Sequence, residues 1–518
     1  MVKSEISKSK KIILFTLLII LNIVLRIPSI PHEKGADSFW IHSLANSITT
    51  FGQANWWLNW LSVFGLYPYS YASSVPFSLS GVAQLTGLTG IDMEKTILVF
   101  SIMMGLFSIF TAYVLAGVIY NDFVYKYITA FFFSISQGIM VFSTWEVSTR
   151  GPFIILLPLF VFIVLKKIKP TKSLILLIIL GVFLAATHHF FYFLMPFSFI
   201  FLFLKLLPEV SLKIKGKSNF NYIYIVGLGI SFTYPFFTGA LIEAGSRYEW
   251  ILTMLIINIR YAGPIFIFFL GGLTYLVFKK NKKMEEWYIL GSLLIFCPTM
   301  YSQAYGMYII LIIIIIFTAV GFRNLLALYA EEKYNKKILT LAVVSVLIAF
   351  SAFSGFYNHG RTGVSQNYWY MPESSYEAAV WSNSYIPENA HGLALTGETW
   401  RMVATSDAHP ISPTGGAQIL AYNLMNESDI KLNKVSPNSL DYYFEGPYVI
   451  KPMTDLGGLL EWFTELDNIE DSRATNITSK FNATYIVDDI YSPKSITRSI
   501  ETKKNNIFTS GRTRIWTM

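Results

Sequence analysis

Long apolar runs recur through the first two thirds of the chain, each interrupted by a short polar or basic segment. About eleven of them approach the roughly 20 residues that a helix needs to cross a bilayer. They lie near 12–30, 96–120, 127–144, 151–165, 172–187, 189–207, 221–241, 262–278, 287–302, 306–322 and 338–356. The run at 151–165 is short and borrows flanking residues. Two further stretches, 251–261 with Asn258 and Arg260 inside it and 74–90 after Pro76, read as re-entrant or interfacial. After residue 356 the long runs stop. There Glu377–Ser384 and Gly416–Met425 read as helices, and Gly392–Thr396 and Tyr485–Val487 as strands. Ile507–Thr509 and Arg514–Thr517 read as a hairpin turning at Ser510-Gly511. The pattern predicts a polytopic α-helical membrane protein over 1–356, with 31–95 as its first outer loop, followed by an α/β domain over 357–518.

Composition agrees with that division. Of 518 residues, 53% are hydrophobic and only 14% charged, against roughly 25% charged in a soluble domain, and mean hydropathy is +0.48. The net charge of +8 is uneven. Residues 1–356 hold 27 Lys/Arg against 14 Asp/Glu, and 357–518 hold 13 against 18. The basic excess belongs to the membrane half, so it does not mark a nucleic-acid surface. It sets orientation instead: alternate inter-span segments, counting the N-terminal one, carry 21 basic residues and the opposite loops five. That bias places the N-terminus in the cytoplasm and the segment after 356 outside the cell membrane. The first apolar run lacks a small-residue cleavage site and reads as a retained anchor.

The single cysteine, Cys297, lies within a span, so the outer domain has no disulfide framework. Three Asn-x-Ser/Thr triplets, at Asn426, Asn476 and Asn482, are candidate glycan acceptors rather than parts of the protein's own chemistry.

Candidate chemistry gathers at the outer ends of the spans. Asp37, in Gly35-Ala36-Asp37-Ser38, stands beside Phe39, Trp40 and Ile41, with His42 about one helical turn further on. A carboxylate among such rings is an acid/base candidate, and it is also placed to cap a helix starting at Ser38. The many rings of loop 31–95 suit an interfacial aromatic belt, or a surface that stacks on a sugar or a prenyl chain. The second outer loop, Ser143–Gly151, holds Glu146 and Arg150, and a guanidinium there suits a phosphate. His188-His189 ends the fifth span on the same side, and Arg247 and Arg260 complete the outer polar set. In the tail, Asp407 and His409 lack the further ligands of a metal site, and no nucleophile elbow is present.

The Gly-x-Asp of the first loop, Phe64-Gly65-Leu66-Tyr67-Pro68-Tyr69 further along it, the polar second loop running into Leu156-Leu157-Pro158-Leu159, the many spans and the α/β tail together resemble the GT-C glycosyltransferases. Among these the chain is similar to archaeal relatives of the oligosaccharyltransferase catalytic subunit. The resemblance implies a sugar donor on a polyprenyl (dolichyl) phosphate carrier and an acceptor glycan, lipid or surface protein at the outer face. It implies Asp37 as base or metal ligand. The family's second-loop acidic pair is not present as a pair: Ser148-Thr149-Arg150 stands about where it would fall and only Glu146 is near. The Trp-Trp-Asp-Tyr-Gly motif is replaced by Gly397-Glu398-Thr399-Trp400-Arg401. The expected enzyme is therefore a metal-independent transferase with Asp37 as base, Glu146 in support, and Arg150, His188, His189, Arg247, Arg260 and His42 toward the substrates. The first alternative is an oligosaccharyltransferase of protein N-glycosylation with Mg2+ or Mn2+ on Asp37 and Glu146. Others are a lipid-carrier flippase, whose mid-membrane polar residues and repeated halves are not seen, and a non-catalytic surface scaffold.

Overall fold

The computed structural model describes the chain except residues 1–5, 167, 207–218, 238–248, 299–305, 332–333, 357–368, 388–389, 396–397, 406–409, 412–415, 440–441, 443–445, 451–462 and 492. The N-terminal part is helical. Its first helix, α1 (Lys8–Arg26), starts at Ser7, whose hydroxyl accepts from the Lys10 N–H. Two helices, α2 (Ala36–Phe51) and α3 (Ser74–Thr86), follow within the expected first loop. Then come α4 (Met93–Ile119), α5 (Phe123–Ile135), the single turn α6 (Gln137–Met140), α7 (Arg150–Leu165), α8 (Pro170–Ala185) and α9 (Phe191–Leu206). The set continues with α10 (Asn219–Phe237), α11 (Glu249–Ala262), α12 (Phe269–Phe278), α13 (Met284–Phe296), α14 (Gly306–Glu331) and α15 (Tyr334–Phe356).

The apolar runs become helices, but not eleven uniform spans. Among the described residues, three helices are long and apolar enough to cross a membrane: Gly90–Ile119, Ile310–Ala327 and Ile338–Phe356. A fourth arises if Ile251–Ala262 and Pro264–Phe278, bent by 116°, count as one. The bend follows from sequence: Gly263 takes φ +95° and Pro264 cannot continue the preceding helix. This is the stretch whose Asn258 and Arg260 suggest a re-entrant element. The expected run 127–144 breaks at Ser136, which is extended, so α5 ends after 13 residues. Shorter apolar helices cover Arg150–Leu165, Thr171–Ala185 and Phe191–Phe203.

The C-terminal part is α/β as expected. Its elements are α16 (Glu373–Tyr385), β1 (His391–Ala394), α17 (Glu398–Thr405), β2 (Pro410–Ile411), α18 (Gly416–Ala421), β3 (Leu432–Lys434), β4 (Tyr448–Ile450), α19 (Ser472–Lys480), β5 (Ala483–Asp489), α20 (Thr497–Lys503), β6 (Asn506–Ser510) and β7 (Thr513–Thr517). Five strands form one sheet in the order β2-β1-β5-β7-β6. β1 runs parallel to β2 and β5, and the expected β6–β7 hairpin is antiparallel with Gly511 at φ +52° in its turn. Asn426, Asn476 and Asn482 are all exposed.

Helix α2 joins the two parts. Leu44, Ile48 and Trp56 share one apolar core with Leu393, Ile419, Leu420 and Ile486. Gln418 Nε2 donates to Ser43 Oγ (2.6 Å), the Tyr422 hydroxyl to the Ser43 carbonyl (2.7 Å), and Asn46 Nδ2 to the Ala404 carbonyl (3.3 Å). The rings of the first loop thus divide: Phe39 and Trp56 are buried in protein, while Trp60 is 71% exposed.

Candidate functional site

The site is built where three stretches meet end to end. The Lys34 N–H donates to the Trp145 carbonyl (3.1 Å) and the Gly35 N–H to the Trp369 carbonyl (2.7 Å). These bonds tie the first loop to the second loop and to the segment that follows α15. Gly35 takes φ +103°, and a Cβ there would lie 2.7 Å from the Glu146 side chain. Only glycine lets the second loop approach this closely.

Asp37 lies in the first turn of α2 rather than capping it, since Gly35 is the cap and the helix begins at Ala36. A carboxylate there is favoured by the helix dipole. Its Oδ2 accepts from the Ser148 hydroxyl (2.9 Å) and from Arg150 Nη1 (3.2 Å). Arg150 is the first residue of α7, so a guanidinium stands where the dipole already favours anions. Both side chains are about one third exposed, at 32% and 28%, and a pair of that exposure is worth only about 0–1 kcal/mol. The half-buried Tyr71 faces the same charges. Burial first, then the Asp37 carboxylate, pushes its phenol up, so it stays a neutral hydroxyl.

Glu146 is buried, and among the described residues neither carboxylate oxygen has a hydrogen-bond partner. Burial, helped by Asp37 and Glu33 and opposed by Lys34 and Arg150, holds its carboxyl well above the usual range. As a metal centre the arrangement is incomplete. The described residues contain no group of three or more His, Cys, Asp and Glu side chains placed to hold an ion, and one Asp37 oxygen is already taken by Arg150 and Ser148. The two orphaned oxygens of Glu146 are the one feature that would welcome a cation.

His188 lies in the turn after α8, and its Nδ1 accepts from the Phe190 N–H (3.2 Å). The turn is pinned to α3 by Ser74 Oγ and Thr187 Oγ1 at 2.5 Å. Burial first, then His189 and Arg150, holds the His188 imidazolium form well below the ordinary range, so it is neutral at pH 7. His189 packs ring to ring with it at 4.4 Å. The two histidines share a turn rather than a helix, next to Arg150's field. Arg260 is exposed in the last turn of α11, with its guanidinium 5.7 Å from the Tyr261 ring. No contact described here brings it to Asp37. Arg247 lies outside the described residues.

His42 departs from expectation. It is fully buried, with Nδ1 in direct hydrogen-bond contact with Glu33 Oε1 and Nε2 at 3.2 Å from the Gly90 carbonyl. It cannot reach a substrate. Its partner Glu33 was not a candidate by sequence, nor was His32, whose ring nitrogens lie 3.1 Å from Glu94 Oε2 and 3.2 Å from Glu373 Oε2. The available signal was His32-Glu33-Lys34 directly after an apolar run: three ionisable residues at a helix exit are expensive unless partnered.

No protein-family model and no curated protein sequence matches the chain. Solved structures do. The archaeal oligosaccharyltransferase AglB from Archaeoglobus fulgidus, in complex with an inhibitory peptide and a dolichol-phosphate, superposes with a TM-score of 0.59 at 13% identity, over 93% of this chain and 69% of that one. The arabinofuranosyltransferase AftD from mycobacteria gives 0.56 at 10% identity over 99% of this chain, which spans 42% of AftD. ArnT from Cupriavidus metallidurans in the apo state gives 0.53 at 11% identity, over 98% of this chain and 97% of that one. At such identities the likeness is one of fold: the chain shares the overall fold of these three proteins.

Proposed function

We propose that the protein transfers a sugar from a polyprenyl (dolichyl) phosphate carrier to an acceptor hydroxyl or amide on a glycan, lipid or surface protein at the outer face of the cell membrane. The observation that carries this reading is the Asp37–Arg150 pair, a half-open carboxylate and guanidinium where the N-termini of α2 and α7 converge. A base and an anion-binding cation side by side are what an inverting transfer needs. Asp37 takes the acceptor proton as the acceptor oxygen or nitrogen attacks the anomeric carbon. The bond from that carbon to the phosphate oxygen breaks, and its electron pair leaves on the phosphate, where Arg150 and the α7 N-terminus stabilise the charge. The donor phosphate competes with Asp37 for Arg150, and a bidentate phosphate contact outweighs a pair worth under about 1 kcal/mol. Support comes from the fold relatives, one of which is described with a dolichol-phosphate and a peptide. The basic excess of the alternate segments supports an outer position for this end of the bundle.

Glu146 favours a second reading, a divalent-metal oligosaccharyltransferase with a divergent acceptor site. Its orphaned oxygens beside Asp37 would be two of the ligands of Mg2+ or Mn2+, and the described residues do not supply the remaining ligands. Membranes containing the protein, supplied with a labelled polyprenyl-phosphate sugar and assayed with and without EDTA, separate the two. The first reading expects transfer that persists in EDTA, and the second expects transfer that stops.

A further inference from the structure

Behind Asp37, on the buried side of α2, a chain of hydrogen bonds runs from the second loop to the start of α4. The Val147 N–H donates to Ser38 Oγ (3.2 Å), and the Ser38 hydroxyl donates to Glu33 Oε2 (2.9 Å). Glu33 Oε1 is bonded to His42 Nδ1, and His42 Nε2 donates to the Gly90 carbonyl (3.2 Å). The directions are forced. A carbonyl only accepts, so Nε2 carries a hydrogen, and Val147 has only an N–H to give, so the Ser38 hydrogen must point to Glu33. The Glu33 and His42 side chains have no exposure at all, and Ser38 and Val147 are equally enclosed. None of them can touch a substrate.

Their neighbours in sequence are the site. Ser38 follows Asp37, and Val147 stands between Glu146 and Ser148, whose hydroxyl donates to Asp37. We propose that Ser38, Glu33 and His42 are positioning residues: a buried relay that orients the Ser38 hydroxyl to hold the Val147 N–H, and so keeps the 146–150 loop in register with Asp37. An apolar pair would fill the same space without desolvating two ionisable groups. What the ionisable pair adds is direction, since it locks a hydroxyl that would otherwise rotate. The part of this inference that concerns turnover rests on the reading of Asp37 as base, whereas the register of the loop does not.

The test uses the full-length protein in lipid nanodiscs and three variants, Ser38→Ala, Glu33→Gln and His42→Asn. Hydrogen exchange of peptides covering 145–149 should speed up by about tenfold at the Val147 amide in each. With a labelled polyprenyl-phosphate sugar, kcat should fall by about 10–100-fold, the range for removing a supporting partner, while donor KM moves less than about threefold. Ser38→Ala keeps the Glu33–His42 pair and so preserves the fold if the buried pair is needed for it. Unchanged exchange at 145–149 in Ser38→Ala and Glu33→Gln overturns the proposal. So does unchanged kcat in these variants when wild-type turnover depends on Asp37. If no Asp37-dependent transfer is found at all, the functional reading falls and the exchange measurement alone decides the relay.

Discussion

Two buried glutamates that flank α4, a helix about 40 Å long, Glu286 on α13 and Glu146 in the loop before α7, have opposite surroundings. Glu286, near the C-terminal end, accepts from the Tyr120 hydroxyl (2.7 Å), from Lys279 Nζ (2.5 Å) and from the Lys283 N–H (2.8 Å). Glu146, near the N-terminal end, accepts from nothing among the described residues. A fully satisfied buried carboxylate holds helices together, and adding a ligand could only break bonds. An unsatisfied one costs stability and has capacity left over. The same contrast separates Glu33, whose two oxygens are both engaged, from Asp37, whose bonds among the described residues are to a third-exposed guanidinium and a serine. Glu286 and Glu33 sit in closed networks that brace the fold, whereas Asp37 and Glu146 have capacity left for a ligand.

Variants that trade one kind of group for the other test that contrast. The largest effect is expected from Asp37→Asn, which keeps the shape but cannot take a proton, and which should lower the transfer rate by about 10²–10⁴-fold in an assay with a labelled polyprenyl-phosphate sugar. Arg150→Ala should weaken donor binding and lower turnover together, by about 10²–10³-fold in kcat/KM. Stability should move the other way round. Glu286→Gln, which removes the charge that Lys279 and Tyr120 engage, should cost about 1.5–3 kcal/mol, seen as a lower melting temperature in detergent. Glu146→Gln should cost nothing, and a comparable loss there would show that its oxygens are engaged after all.

The smallest effect concerns pH. Because the Glu146 carboxyl is held above its unfolded value of 4.5, the folded state binds the extra proton. The stability it contributes is fully present below about pH 4.5 and is lost as pH rises toward the raised value. The melting temperature of Glu146→Gln should therefore gain on wild type between pH 5 and pH 8. A constant difference across that range would mean that the carboxyl is not held protonated.

Much of this architecture was legible before the structure. The apolar runs mark the helices, and Tyr485–Val487 and the hairpin around Ser510-Gly511 stand out by strand-forming residues and turn chemistry. The lengths of the helices were less legible, because Ser136 breaks one inside the run 127–144 that hydropathy alone joins. The start of helix α2 was legible near Ser38, but its burial was not. Ser38, His42, Ser43, Asn46 and Ser47 make it look like a solvated loop, yet all five are buried. They bond to Glu33, Gln418, Ala404 and nearby carbonyls, partners that lie as far as 375 positions away. Asp37, Glu146 and Arg150 were visible as polar residues at span ends. The relay behind them was not, since it depends on the register between Ser38 and Val147, 109 positions apart.

The central claim is that Asp37 removes the acceptor's proton while Arg150 holds the donor phosphate. Measuring donor binding and sugar transfer side by side in Asp37→Asn and Arg150→Ala tests it most directly. The account predicts that Asp37→Asn binds the polyprenyl-phosphate sugar about as well as wild type and fails to transfer it, while Arg150→Ala loses binding. Transfer by Asp37→Asn at the wild-type rate would contradict it.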